Sequence, residues 1–361
     1  MTEKKTMKVS RLYGIRDLRV ERGPIPEPGP DEVLLKIASV GTCGSDVHYY
    51  VEGAIGDQIV TEPIQMGHEF SAWIAALGEG VTGLEVGQLV AVEPAIPCGK
   101  CEYCLHGHPN LCPDVRFCGT PPIDGVFAEY AVMPAENCFV LPEGFTPDEG
   151  ALLEPLGIAI HTVDLAHLKA AETVAVLGGG PIGLLTAAMA RVAGAGEIHM
   201  TEPLPFRRAF AQEFCADVVY DPHEQDVVAA ILEATEGRGV DVAFEAAGAA
   251  ETPDQAAHIA RPGGKVVIVG IPSEDRMVMT ASQVRRKGLT IKLVRRMKHT
   301  YPRAIRMVHR GMVNVAALAT HHFPLDRIGE AFEMVAGYQD GVLRAMIEIG
   351  TEAPETTGVE H

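Results

Sequence analysis

Positive charge is scarce in this 361-residue chain: 30 Lys and Arg stand against 48 Asp and Glu, a formal net charge of −18. Binding to nucleic acid or to an anionic membrane surface relies on basic patches, so the balance argues against both partners. It favours solubility and a neutral or cationic ligand. A long unbroken apolar run is missing too. The nearly uncharged stretch Thr173 to Ala190 contains Gly178, Gly179, Gly180 and Pro181, whereas a bilayer-spanning helix needs ~20 apolar residues without such breaks. The lysines of Met1–Ser10 are followed by no apolar core, so no secretory signal is expected. No internal repeat is visible.

What remains is an ordinary globular composition, 47% apolar and 22% charged, at a length that suggests two domains. The first 155 residues or so are rich in Pro and Gly, with short β-type runs at Glu32–Val40, Ser71–Leu77, Gln88–Val92 and Ala128–Pro134. Turn residues separate them, which reads as an all-β domain with functional loops. From Thr173 short apolar strands alternate with helical stretches such as Ile182–Ala193 and Phe206–Cys215. The expected strands are Val174–Leu177, Glu197–Thr201, Val218–Tyr220, Val240–Glu245, Gly264–Gly270 and Thr290–Val294. Six strands with helical crossovers describe an α/β, doubly wound parallel sheet. A helix over Pro302–Arg310 and strands near Ala317–Pro324 and Ala345–Ile349 look like a return to the first domain. The polar tail Thr351–His361 is expected to be disordered.

Gly178-Gly179-Gly180-Pro181-Ile182-Gly183 fits G-x-G-x-x-G. Alone the pattern is weak, but here it follows a strand and opens a helix. Its glycines permit a tight turn against a pyrophosphate, and the helix start offers free N–H groups and a positive dipole end. Glu202 stands at the end of the next strand, where an acid can accept from the adenosine ribose and repel a 2′-phosphate. This favours NAD, while Arg207 and Arg208 a few residues on leave NADP open. A ligand-free glycine turn is the bland alternative.

Eight cysteines are present, and Cys98-x-x-Cys101-x-x-Cys104 with Cys112 concentrates four of them in one short stretch. In a sizeable chain without an export signal this points to metal rather than disulfides, and to a reducing cytoplasm. Four thiolates suit a closed tetrahedral Zn2+ that holds structure and performs no chemistry. An iron–sulfur cluster also takes four cysteines, though usually at other spacings. Elsewhere, Gly41-Thr42-Cys43-Gly44-Ser45-Asp46-Val47-His48, Gly67-His68-Glu69 and Glu154-Pro155 supply a thiolate, imidazoles and carboxylates. That mixed set suits a catalytic zinc with one position open. Singly each has an ordinary reading: a small buried thiol, a loop histidine, the end of one element. Together, and ahead of a dinucleotide fold, they argue for one site.

These stretches, with Phe117-Cys118-Gly119-Thr120-Pro121-Pro122-Ile123-Asp124-Gly125, make the sequence similar to the zinc-containing medium-chain dehydrogenase/reductase family, in its polyol branch, from about Leu18 to Ile349. The resemblance implies a GroES-like β domain (1–155 and 300–361), a Rossmann domain (156–299), and an active site in the cleft between them. It implies Cys43 and His68 as catalytic-zinc ligands, with Glu69 the third, directly or through water, and Glu154 a ligand in some states or a partner of zinc-bound water. Substrate contacts would be Tyr49, Glu154 and Arg296, with Phe117 and Thr120 shaping the pocket. Met297 stands where many relatives carry Tyr, and so lacks a hydroxyl. Arg207 would pack on the adenine side of NAD, and Val269, Gly270, Ile271 and Arg295 are further cofactor contacts. Ser45 and His48 fit a proton relay, for which Glu154 is an alternative. The implied activity is oxidation of a secondary hydroxyl of a small polyol to a ketose by a homotetramer or homodimer. A zinc dehydrogenase for threonine, a simple alcohol or an aldose is the alternative, and a non-catalytic nucleotide-binding relative a more distant one.

Overall fold

The computed structural model describes residues 5–272, 274–350 and 352–353. Apart from Glu352 and Ala353, the expected disordered tail lies outside them. The chain divides into two units, one running to Glu154 and resuming at Tyr301, the other spanning Pro155–Thr300.

The first unit is built on a seven-stranded sheet in the order Cys138–Val140, Leu89–Val92, Glu69–Leu77, Glu32–Gly41, Arg344–Glu348, Ala319–Pro324, with Tyr130–Pro134 also paired to Glu32–Gly41. Glu32–Gly41 explains the arrangement. It alternates at first, burying Val33, Leu35 and Ile37, and is buried at every residue from Ile37 to its end. Its end is covered on both faces, and both its edges are paired. Those neighbours are decisive for the site: Gly41 is opposed by Glu69 on one side and by Met346 on the other. Phe332 of the helix Ile328–Ala336 closes the core, its ring 5.2 Å from Tyr50 and 5.7 Å from Phe127. The unit is therefore not all-β as expected, since this helix and Gly44–Glu52 both belong to it.

The second unit is the expected parallel sheet. Its six strands, Thr173–Leu177, Glu197–Thr201, Val218–Tyr220, Val240–Glu245, Ala260–Ile268 and Thr290–Leu293, lie in the spatial order third, second, first, fourth, fifth, sixth, the Rossmann arrangement. The fifth differs from the expected Gly264–Gly270. Ala260 pairs with Val240 and Lys265 with Val242, so Arg261–Gly264 bulges from the ladder. The boundary region also differs from expectation. Glu154 and Pro155 do not separate two elements but lie inside one helix, Pro147–Ala166. Proline removes a single intrahelical donor, and burial of Ala151, Leu152, Leu153, Leu156, Ala159 and Ile160 holds the helix through it. No helix of the described residues is long and apolar enough to cross a membrane.

Asp241 fastens the open end of this sheet. Its Oδ1 accepts from Arg238 Nη2 at 2.7 Å and Arg261 Nε at 2.6 Å, and its Oδ2 from the Thr173 backbone N–H at 3.0 Å. Burial alone would push the carboxyl up, but these donors hold it down at about 2. A carboxyl depressed in the fold contributes stability above its unfolded value and loses it as pH falls through the folded one. Asp241→Asn is expected to cost about 1–2 kcal/mol at pH 7, after allowance for screening of half-exposed Arg238. The difference from the parent should shrink as pH drops from 4 towards 2, as read in denaturant titrations at each pH. A pH-independent difference would show that packing, not charge, is what Asp241 supplies.

Candidate metal centre and nucleotide site

The turn after Gly41 makes Cys43 the N-cap of the helix Gly44–Glu52. Asp46, one turn in and fully buried, accepts from the Cys43 backbone N–H and the Gly67 backbone N–H, both at 3.2 Å. Its Oδ1 also lies 3.5 Å from His68 Nδ1. One carboxylate thus ties the loop bearing the thiol to the loop bearing the imidazole. With Nδ1 turned to Asp46, Nε2 is the nitrogen that faces a ligand position, the usual support for a metal-binding histidine. Glu69 begins the neighbouring strand. Its carboxylate fills the space above Gly41, where an added Cβ would lie 2.6 Å from Oε2.

Ligand atoms of Cys43, His68 and Glu69 all fall within 4.8 Å of one another. Both oxygens of Glu69 are buried without a hydrogen bond, although Arg344 Nη2 stands 3.1 Å from Oε1. Arg344 also donates to the Thr42 carbonyl. Burial raises the Cys43 thiol, and the Glu69 charge raises it further. Burial opposes charge on His68, but Asp46 and Cys43 raise it well above its ordinary value. Each residue is left short of positive charge, so the trio fits a divalent cation, which fixes thiol and imidazole in their unprotonated forms.

Glu154 is not in that trio. It is buried nearby, and its carboxyl is pushed up to about 8, first by burial, with the His68 charge opposing and Glu69 reinforcing. Ser45 Oγ lies 3.5 Å from His68 Nε2, and the Phe117 ring stands 5.2 Å from the His68 ring. His48 faces away to Glu52, 3.5 Å from Nδ1 to Oε2. Tyr49 is buried, its hydroxyl donating to Gln58 Oε1 at 3.3 Å, and Thr120 is half-buried. Two residues of the centre were not anticipated, Asp46 and Arg344. A signal for Arg344 existed: a lone charge within the apolar run Val342-Leu343-Arg344-Ala345-Met346-Ile347 must find a buried partner.

The second cluster is Cys98, Cys101, Cys104 and Cys112, whose sulfurs also lie within 4.8 Å of one another. Zinc–sulfur bonds of ~2.3 Å in a tetrahedron put sulfurs ~3.8 Å apart, and Cys101 and Cys104 sit at 3.4 Å. Backbone N–H groups of Lys100 and Cys101 bring the Cys98 thiol down to about 7, while burial and Cys101 push Cys104 up to about 12. Four sulfurs this close cannot all be anionic without a cation among them. All eight cysteines are free thiols.

In the second unit Gly178 has φ +103° and leads into the helix Pro181–Val192, capped by Gly180. A Cβ on Gly183 would lie 1.9 Å from the Gly178 carbonyl oxygen, so only glycine lets helix and strand close. Glu202 is buried, its carboxylate accepting from the backbone N–H of Gly179 at 2.7 Å and Leu204 at 2.9 Å. The acid is thereby held against the glycine turn that precedes Pro181 and Ile182 of the helix. A Cβ on Gly180 would lie 3.7 Å from Arg207 Nη1. Gly270 packs on Gly248 and Glu245, where the fourth and fifth strands end, with Val269 and half-exposed Ile271 on either side. Arg295 is exposed, Arg296 is half-buried with φ +54°, and buried Met297 packs against Gly157.

A three-donor metal centre and a dinucleotide turn meet in one class of enzyme, the zinc-binding dehydrogenases. Family models agree over both units: the alcohol dehydrogenase GroES-like domain matches residues 29–143 and the zinc-binding dehydrogenase model residues 181–310. The sorbitol dehydrogenase of Bacillus subtilis (strain 168) is 37% identical over 96% of this chain and 98% of its own length, and that of Homo sapiens 40% identical over 89% and 90%. A solved zinc-binding dehydrogenase from Sinorhizobium meliloti 1021, bound to NADP, superposes with TM-score 0.88 at 33% identity, covering 96% of this chain and 100% of that one. The chain belongs to the zinc-containing medium-chain dehydrogenase/reductase family, in its polyol branch, and is an oxidoreductase acting on a small molecule.

Metal analysis of purified protein is expected to give two zinc ions per chain. Cys43→Ala should abolish activity and remove one ion while thermal stability holds within a few degrees. Cys104→Ser should remove the other and lower stability markedly. A single ion in the parent, or the same ion lost from both variants, would contradict two separate sites.

Proposed function

We propose that the protein oxidises a secondary hydroxyl of a small neutral polyol, of the sorbitol or xylitol type, to a ketose, with NAD+ as hydride acceptor. The observation that carries this is the trio Cys43, His68 and Glu69, which leaves a tetrahedral ion one position for a substrate oxygen or water. The polyol and NAD assignments draw support from the sorbitol dehydrogenases to which the chain is similar, and from the ribose-reading acid Glu202.

Zinc, when bound, supplies Lewis acidity that eases loss of the hydroxyl proton. The net change removes one proton and one hydride from a carbinol, the hydride reducing NAD+ at C4. In this reading the chain's own groups position the substrate and move the proton. Ser45, beside His68 Nε2, accepts the substrate's hydroxyl proton as it gives its own to the cofactor ribose, from which a proton passes to His48 at the helix surface. Buried Glu154 orients a water or the substrate's neighbouring hydroxyl beside the trio. Phe117 covers the His68 face and excludes water, and Tyr49 and Thr120 contact the polyol. Asp46 and Arg344 touch no substrate; they hold His68 and Glu69 in place.

NAD reduction should be seen with sorbitol, xylitol, arabinitol or ribitol at kcat/KM at least tenfold above ethanol and threonine. Activity should vanish on chelation and return with Zn2+. Preference for a simple alcohol or threonine, or full activity without metal, would overturn the reading.

We also propose that the chain works as a homotetramer or homodimer in the cytoplasm. The free thiols suit a reducing compartment. The support for assembly is the sixth strand, Thr290–Leu293, which is an open sheet edge with Leu293 59% exposed, in a unit whose Val278 is also 54% exposed. Open apolar edges on parallel sheets are normally covered. Leu293→Arg should reduce the sedimenting mass by half or more. A parent that sediments as a monomer would refute the assembly.

A further inference from the structure

The ribose acid Glu202 has an arginine directly behind it. Arg208, on the helix Pro205–Phe214, folds back so that Nη1 donates to the carbonyls of Glu202 at 3.0 Å and Pro203 at 2.6 Å. Its Nη2 pairs with Asp221 Oδ2 at 2.7 Å, both side chains being largely buried. Asp221 follows the third strand, Val218–Tyr220, and its Oδ1 accepts from the His223 backbone N–H at 2.9 Å. The loop itself therefore fixes the carboxylate. A guanidinium sits at the backbone of the residue expected to read the ribose, yet both its terminal nitrogens are engaged.

An arginine near this position is what accommodates a 2′-phosphate in NADP-binding Rossmann folds. We propose that Asp221 is a cofactor-specificity residue, acting through Arg208. By pinning that guanidinium to the protein it denies a 2′-phosphate the cation that would reward it, and so reinforces the repulsion from Glu202. Preference for NAD over NADP is then held by two locks, one a charge facing the ribose and the other a cation kept occupied. This rests on the NAD reading above. Asp221 is a positioning residue and touches no cofactor.

The test is direct binding of NADH and NADPH to zinc-loaded protein, followed by nicotinamide fluorescence without substrate. Asp221→Asn keeps the shape and removes the charge. In the Glu202→Gln background, where the opposing charge is gone, it is expected to tighten NADPH about tenfold relative to NADH, the scale of one charge-assisted hydrogen bond to phosphate. In the parent the shift has the same direction and is smaller. Adding Arg208→Gln should return the ratio to its starting value, as a coupled pair requires. An unchanged NADPH/NADH ratio accompanied by a lower melting temperature would show that the ion pair only staples loop to helix, and would overturn the proposal. So would a gain that survives Arg208→Gln. A second arm leaves Asp221 intact: in Glu202→Gln protein, Arg208→Gln should change NADPH affinity less than twofold, because the guanidinium is still pinned. A tenfold loss there would mean that Arg208 already reaches the phosphate. Failure of the parent to bind NADH at all would instead strike the NAD reading itself.

Discussion

A buried anion needs a cation, and the metal-bearing unit is arranged around that requirement. Asp46, Glu69 and Glu154 are all buried near the Cys43 thiol, and Arg344 is the buried arginine that faces Glu69. One guanidinium cannot balance this set. The surplus appears as a carboxyl held near 8 on Glu154 and orphaned oxygens on Glu69. A divalent ion at the trio would close the balance, and the family to which the chain belongs is zinc-binding. The fold serves the same end. Gly41 lies between Glu69 and the start of the C-terminal strand, so the register of three strands brings Glu69 to Arg344.

That dependence on register explains which parts of the site could be read from sequence. Cys43, His68 and Glu69 stand in short motifs with glycine neighbours, and motifs survive in one dimension. The four-cysteine cluster is legible for the same reason, its ligands lying within one loop. Asp46 was visible only as part of a motif, without a role, because its work is to bridge two loops by accepting their backbone N–H groups. Arg344 is three hundred residues from Thr42 in sequence, and its meaning comes from strand pairing.

The Rossmann unit was the more legible half. Its central strands are short, largely buried apolar runs set apart by helices, and that hydrophobic pattern marks them. Where the reading slipped, local signals competed with tertiary ones. Pro155 suggests a break, yet the apolar residues on either side of it make one helix because burial outweighs a single lost hydrogen bond. The fifth strand was expected to start at Gly264. In fact Ala260 already pairs with Val240 and the glycines form a bulge. In the first unit, short β-type runs revealed the central strands, but the helix Gly44–Glu52 overlapped a stretch read for ligands, and Ile328–Ala336 was given no element.

Net charge says little about dinucleotide binding, and the reason is physical. By net charge alone, a chain carrying −18 would repel a dinucleotide, itself an anion. At physiological salt, however, fields from exposed carboxylates fade over ~8 Å, while a pyrophosphate meets only what lies within hydrogen-bonding distance. At the glycine turn, in the proposed reading, it would meet the start of the helix Pro181–Val192, with its unsatisfied N–H groups and positive dipole end. Discrimination at the ribose follows the same local rule. In the proposed reading Glu202 would act because it is buried against the turn rather than because the surface is acidic, and a nearby arginine counts only if its donors are free. In that reading two carboxylates, Glu202 facing the ribose and Asp221 holding a guanidinium in place, set cofactor choice through short-range contacts rather than through the net charge.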